Sequence, residues 1–302
     1  FTWLTLSSHE LLRRMILSQT QLESLVKPSY TAFFDSAIIS ICAFTLGNKK
    51  PDETRKRPFF DLGYLGNGNV QSQRFLDGLS GIIPYAPQWR SHADFNNLPG
   101  NIIAYDMSDA QIKAFKEFDR LGEWGEIKLG LTTGSNDTFV RRWAEVSFDK
   151  SGFGCTDRET ALETRKKWFP YNKGGDFRRW YGNNENLIDW EYDGREVKKF
   201  GADEGKVRSY LRNSNFYFKP SVTWSFVSSS NFGARYCPQG AIFDVGGSSA
   251  FVDPSLLKRL TSFMASNVAW EFLKKMNPTV NFQVGNIASL PVTSELLSRI
   301  PT

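Results

Sequence analysis

Residues 167–184 read Lys-Trp-Phe-Pro-Tyr-Asn-Lys-Gly-Gly-Asp-Phe-Arg-Arg-Trp-Tyr-Gly-Asn-Asn, and the rest of the chain is organised around them. Planar rings interleave with fixed positive charge, and Gly174-Gly175 puts a flexible step in the middle. An arginine fork matches phosphate oxygens or a guanine edge, asparagine can pair with adenine, and aromatic faces stack on unpaired bases. Together these residue types describe a nucleic-acid surface. A competing reading stays open. In it Trp168, Phe169, Phe177 and Trp180 are core and the charges form a solvated rim, since most aromatics of a globular chain are buried.

The 302 residues suffice for two unequal domains with cores of their own. A net charge of +5 favours a polyanionic partner without demanding one, and an aromatic share of 15% suits a thick core or base stacking. Cys42, Cys155 and Cys237 are odd in number and far apart, with no Cys-x-x-Cys or Cys/His spacing, so neither a disulfide framework nor a zinc site is suggested and a reducing cytoplasm fits. With His9 and His92 the only histidines, a histidine-dependent hydrolase is disfavoured. No signal peptide or membrane-length apolar run is present.

Taken in order, Phe1–Leu6 reads as the end of a strand. Ser7 and Glu10 then offer a capping box for a helix with Leu11, Leu12, Met15 and Ile16 on its apolar face and Arg13 and Arg14 pointing elsewhere. Leu22–Val26 and Ile38–Leu46 read as strands, the second covered on both faces. The sequence of elements suggests the tail of a doubly wound sheet. Asn48–Arg57 is a linker with a boundary in it, and Gln71–Leu79 a short helix. Ser108 caps a helix running through Phe118, with Ile112, Phe115 and Phe118 on one side. In Thr132–Trp143, Gly134 allows a tight turn and Phe139 anchors a strand. Arg141 and Arg142 then fall on opposite faces, so one of them at most is expected to meet a ligand. The carboxylates of 186–200 alternate with rings as in a strand with a wet face, and Arg208–Pro220 repeats the pattern of rings and cations. Pro254–Met276 is a long amphipathic helix.

The run Trp168–Asn184 resembles the signature of the PglX-type adenine-specific DNA methyltransferases of BREX phage-defence systems, within the methylases that carry a TaqI-like specificity domain. Other blocks are similar to the same family. Phe1–Leu46, including Tyr30-Thr31-Ala32-Phe33-Phe34-Asp35-Ser36, resembles the last part of its methyltransferase core, and the Ser108 helix its connector. Thr132–Phe139 resembles the opening of its specificity domain and Val222–Tyr236 the next block. Asn277–Val292 is similar to a closing block shared with type I restriction specificity subunits.

The resemblance implies an α/β remnant, the C-terminal edge of a class I methyltransferase sheet, followed by an α+β target-recognition domain. The expected divisions are 1–90 for the end of the methyltransferase core with a surface insertion, 91–120 for a connector helix region, and 121–302 for the TaqI-like DNA target-recognition domain. The implied role is recognition of the DNA site for a cytoplasmic adenine methyltransferase of phage defence. Alternatives are a stand-alone specificity subunit or a protein-interaction module of the defence complex. Expected partners are double-stranded DNA, an N-terminal methyltransferase half and other phage-defence proteins, with no membrane. Lys173, Arg178, Arg179 and Arg235 are expected at phosphates, Asn172, Trp180 and Tyr181 near bases, and Arg141 at the DNA.

The family's catalytic Asn/Asp-Pro-Pro-Tyr/Phe tetrad, which holds a flipped adenine, is missing from the sequence, and Asn277-Pro278-Thr279 does not replace it. The glycine-rich turn nearest to a cradle for S-adenosylmethionine is Gly63–Gly68, and its polar surroundings read as an ordinary loop. The family's cofactor is therefore expected on the intact protein and not on this chain, and no catalytic residue is assigned.

Overall fold

The computed structural model describes residues 2–33, 39, 41–228, 231–277 and 279–300. Expectations resting on Phe34–Ser36, on Ile38 and Ser40, on Ser229-Ser230 and on Pro278 lie outside the described residues. The chain divides into two compact units, Phe1–Glu117 and Phe118–Thr302, each mixing helices and sheet.

In the first unit, strands β1 (Gln21–Lys27), β2 (Ala43–Gly47), β3 (Arg57–Asp61) and β4 (Gln88–Arg90) form one sheet in the order β2-β1-β3-β4. Only the β1–β3 pair is parallel, with Leu25 opposite Phe59. Leu22, Leu25, Phe59 and Phe60 are buried, and Phe59 packs edge-on to Phe95 at 5.4 Å and stacks with Tyr105 at 5.6 Å. Asn48–Lys56 joins two strands of this sheet rather than separating units. β2 is an exposed edge strand, not one covered on both faces, and it starts at Ala43.

The opening helix corrects three further expectations. Thr2–Leu4 and Ser7–His9 are 3-10 turns, so among the described residues no strand precedes the helix Glu10–Gln19, and Ser7 does not cap it. Arg13 is wholly buried, donating to the carbonyls of Trp3 (2.8 Å), Leu6 (2.7 Å) and Gly100 (2.9 Å), while Leu11, Leu12 and Met15 are exposed. Periodicity alone could not foresee this. A guanidinium that satisfies three carbonyls offsets its own burial and turns the helix about its axis.

In the second unit, β5 (Asp119–Arg120) pairs with β14 (Pro291–Val292). One sheet runs β11-β10-β13-β6, from Ala234–Cys237 through Ser221–Trp224 and Ser249–Phe251 to Glu126–Lys128. Another runs β12-β8-β9-β7, from Ile242–Phe243 through Trp168–Asn172 and Asn186–Asp189 to Val140–Arg142. Around it Leu131, Phe139, Phe169, Tyr171, Ile188, Trp190, Tyr217, Phe218 and Phe243 form one buried cluster.

Two elements differ from their sequence pattern. The expected strand over 186–200 ends at Asp189, and Glu191–Lys199 is helical after an opening in which Tyr192, Asp193 and Gly194 take left-handed backbone. A Cβ on Gly194 would stand 2.5 Å from the Trp190 ring, and Asp193 pairs with Arg158 and with Lys198 at 2.5 Å. Asp193 thereby ties this helix to the one over Arg158–Glu163. The expected helix over 254–276 is two, Leu257–Met264 and Asn267–Met276. Ser266 breaks it by accepting a hydrogen bond from the Ala269 amide at 3.3 Å.

Candidate nucleic-acid interface

The central segment divides at Gly174. Its first half is β8, where Trp168, Phe169 and Tyr171 are buried. Its second half is an exposed loop between β8 and β9, in which Phe177, Arg178, Trp180 and Tyr181 face solvent. Each competing reading of the sequence therefore describes one half.

The sequence folds this loop against the neighbouring sheet by close backbone approach. Gly174 sits at φ 78°, and a Cβ there would stand 2.1 Å from the Gly246 carbonyl oxygen. The Ser225 hydroxyl donates to the Gly175 carbonyl at 2.7 Å, and the Asn183 amide bridges to the Asp176 carbonyl at 2.9 Å. A Cβ on Gly233 would meet the Arg178 carbonyl oxygen at 2.4 Å. Trp180 holds φ 73°, an unfavourable left-handed conformation for a bulky residue. It is kept there by β11, since the Trp180 amide donates to the Ala234 carbonyl (3.0 Å) and its carbonyl accepts from the Tyr236 amide (2.8 Å). Trp180 is 55% exposed and the neighbouring Tyr181 61%. Aromatics so exposed on strained, pinned backbone gain nothing for the core.

The loop's cations differ in their surroundings. Among the described residues neither Arg178 nor Arg179 forms an ion pair. Arg178 is exposed, and the Arg179 guanidinium lies 5.4 Å from the Phe177 ring with its Nε unsatisfied. Lys173 is half-buried, and burial pushes its pKa down against the opposing pull of Asp244 and Asp137. It borders a polar cleft of about 440 Å³ together with Arg141, Arg142, Asp137 and Glu145. Arg141 donates to the carbonyls of Asp137 (2.6 Å) and Val140 (2.7 Å), and its guanidinium lies 5.8 Å from the Trp168 ring. Both arginines border this cleft, so strand alternation does not separate them as expected.

Two expected contacts are corrected. Asn172 is buried, with its amide donating to Thr223 Oγ1 (2.6 Å) and the Gly247 carbonyl (3.1 Å), so it joins two sheets and does not approach a base. Arg235 is wholly buried beneath the loop. Its Nη1 donates to Ser225 Oγ at 3.3 Å, its Nε and Nη2 are unsatisfied, and burial pushes its pKa down to about 10. A guanidinium so enclosed does not reach a phosphate. What the sequence did not reveal is that Trp143, Phe148 and Phe153 are also exposed beside Tyr181, around one cavity. Phe148 and Phe153 lie in a stretch rich in Ser, Gly and charge with no strand period, where large rings have no core to enter, and that was the available signal.

The Gly63–Gly68 turn encloses the Arg74 side chain, whose Nη1 donates to the carbonyls of Leu62 (2.7 Å) and Leu65 (2.6 Å). With its interior carbonyls engaged by a cation, this turn does not fit S-adenosylmethionine. Among the described residues there is no group of three or more His, Cys, Asp and Glu side chains able to hold a metal, and no helix long and apolar enough to cross a membrane.

No family model matches the chain. It is 38% identical over 205 residues to the adenine-specific methyltransferase PglX of Lacticaseibacillus casei (strain Zhang), covering 67% of this chain and 17% of that protein. It is 32% identical over 299 residues to the adenine-specific methyltransferase BrxX of Escherichia coli O9:H4 (strain HS), covering 96% of this chain and 23% of that protein. The chain thus spans less than a quarter of either relative. Among solved structures, the type IIG restriction endonuclease BpuSI aligns with 99% of this chain and 41% of its own at 11% identity and a TM-score of 0.37. The type IIL restriction-modification enzyme MmeI, in complex with DNA, aligns with 93% and 35% at 10% identity and a TM-score of 0.41. Likenesses at these scores carry no weight for fold or function. The sequence matches do, and the chain is a homologue, over part of their length, of the PglX and BrxX adenine-specific methyltransferases.

Proposed function

We propose that this chain is the DNA target-recognition part of a site-specific adenine DNA methyltransferase of bacterial phage defence, working in the cytoplasm with an N-terminal methyltransferase half. In this reading residues 1–90 are the C-terminal edge of the methyltransferase core, 91–120 the connector and 121–302 the recognition domain. The observation that carries it is the pinned, largely exposed loop Arg178–Tyr181, which presents two arginines that form no ion pair among the described residues beside two solvent-facing rings. Arg178, Arg179, Lys173 and Arg141 hold backbone phosphates, and Trp180 and Tyr181 approach the bases. The intact protein uses S-adenosylmethionine, which supplies the methyl group, and this chain contributes positioning of the duplex. Its other expected partners are further phage-defence proteins.

The test is anisotropy titration of a labelled duplex with this chain. Replacing Arg178 and Arg179 together with alanine is expected to weaken binding by about 1–3 kcal/mol, with the circular dichroism spectrum unchanged. Unaltered affinity in a folded double variant overturns the placement of the DNA along this loop.

A further inference from the structure

Next to the basic loop lies a cavity of about 470 Å³, within the range of small-molecule sites. Trp143, Phe148, Phe153 and Tyr181 line it, Pro170 and Leu187 also border it, and Asn184, Asn186 and Gln239 belong to its wall. Among the described residues no charged one lines it. Phe148 and Phe153 stack on each other at 5.5 Å with planes 23° apart, yet remain 77% and 50% exposed. Apolar surface left open this way awaits a flat partner.

Its neighbour says which partner. Asn186 borders both this cavity and the polar cleft of Lys173, Arg141 and Arg142. The cleft also holds Asp137 and Glu145, so its three cations exceed its acids by one. Lys173 there is half-desolvated and has no ion pair among the described residues. A ring-lined cavity with amide hydrogen-bonding groups, beside a cationic cleft, matches the two parts of a nucleotide: a flat base with a polar edge, and an anionic phosphate next to it. An apolar peptide segment would use the rings but not the cleft.

We propose that the cavity framed by Trp143, Phe148, Phe153 and Tyr181 takes one unstacked nucleobase, with its flanking phosphate in the cleft of Lys173, Arg141 and Arg142. The inference rests on the DNA-binding reading above and adds a seat on this chain itself, apart from any catalytic tetrad, for a nucleotide outside the helical stack. The rings receive its faces, and the amides of Asn184, Asn186 and Gln239 meet its edge.

The experiment uses two duplexes of the same sequence, one fully paired and one with a single bulged 2-aminopurine, each carrying a remote fluorescein for anisotropy. With the unmodified chain at saturation, 2-aminopurine fluorescence is expected to fall about twofold or more, and the bulged duplex to bind about tenfold tighter than the paired one, as stacking of one base allows. In Phe148→Ala/Phe153→Ala, and separately in Trp143→Ala, both the quenching and the preference are expected to disappear. Circular dichroism confirms folding, and the single variant carries the test if the double variant unfolds. Unchanged 2-aminopurine fluorescence at saturation, or equal quenching in the variants, overturns the base cavity while leaving duplex binding standing. Failure of the unmodified chain to bind either duplex overturns the cavity and the proposed function together.

Discussion

Asn172 and Arg178 stand six residues apart in the same basic, aromatic segment, and the structure assigns them opposite work. In Asn172→Ala the lost amide is the one that donates to Thr223 Oγ1 and to the Gly247 carbonyl. Both acceptors keep other partners, since the Thr223 hydroxyl bonds to the Gly247 and Ser248 carbonyls at 3.1 Å each. The cost is therefore two ordinary hydrogen bonds rather than two orphaned groups, about 2 kcal/mol. For a unit of this size that lowers Tm by about 4–8 °C. Arg178→Ala removes an exposed side chain and is expected to change stability by less than about 0.5 kcal/mol, while weakening duplex binding by about 1 kcal/mol or more. Scanning calorimetry and anisotropy at one fixed salt concentration read the two effects separately. The reasoning is refuted if Asn172→Ala leaves Tm unchanged and weakens DNA binding by more than about tenfold, because its amide would then be a ligand and not a joint between sheets.

Three further outcomes are expected. Gly174→Ala combines left-handed backbone with a Cβ 2.1 Å from the Gly246 carbonyl oxygen, so it should lower stability by about 2 kcal/mol or more in denaturant titration; a neutral effect contradicts the tight packing of the loop. Burial brings the pKa of Arg235 down from the ordinary guanidinium range to about 10, a cost near 3 kcal/mol that is present in full while the guanidinium is charged and relieved only as pH rises above about 10. Arg235→Met should therefore raise stability at neutral pH by about 1–3 kcal/mol, and a clear loss means the buried N–H groups are better satisfied than the geometry shows. Calorimetry of this chain with S-adenosylmethionine should give no binding heat, because Arg74 fills the Gly63–Gly68 turn; saturable binding contradicts that account.

The sequence made legible those features whose cause is local. Ser108 and Gln111 form the reciprocal cap that their spacing announces, and Phe139 is buried immediately before β7, where it anchors that strand as expected. Features set by distant partners were hidden. The Glu10–Gln19 helix turns on Arg13 because a carbonyl 87 residues away, Gly100, accepts its Nε–H. Asn172 and Arg235 carry the right chemistry for a nucleic-acid contact, and only the strands packed over them reveal that both are enclosed. Ring and charge content could not tell β8 from the loop beyond Gly174, since the division depends on the close approach of Gly246. The resemblance to PglX-type methyltransferases, by contrast, is written along the chain itself and agrees with the relatives found.

The central claim is that the loop after Gly174 lies along a polyanion. Its most direct measurement is the salt dependence of duplex binding by the unmodified chain. With Arg178, Arg179, Lys173 and Arg141 each at a phosphate, the logarithm of the association constant should fall against the logarithm of salt concentration with a slope of about −3 to −4. A slope near zero, or no binding at low salt, contradicts the account.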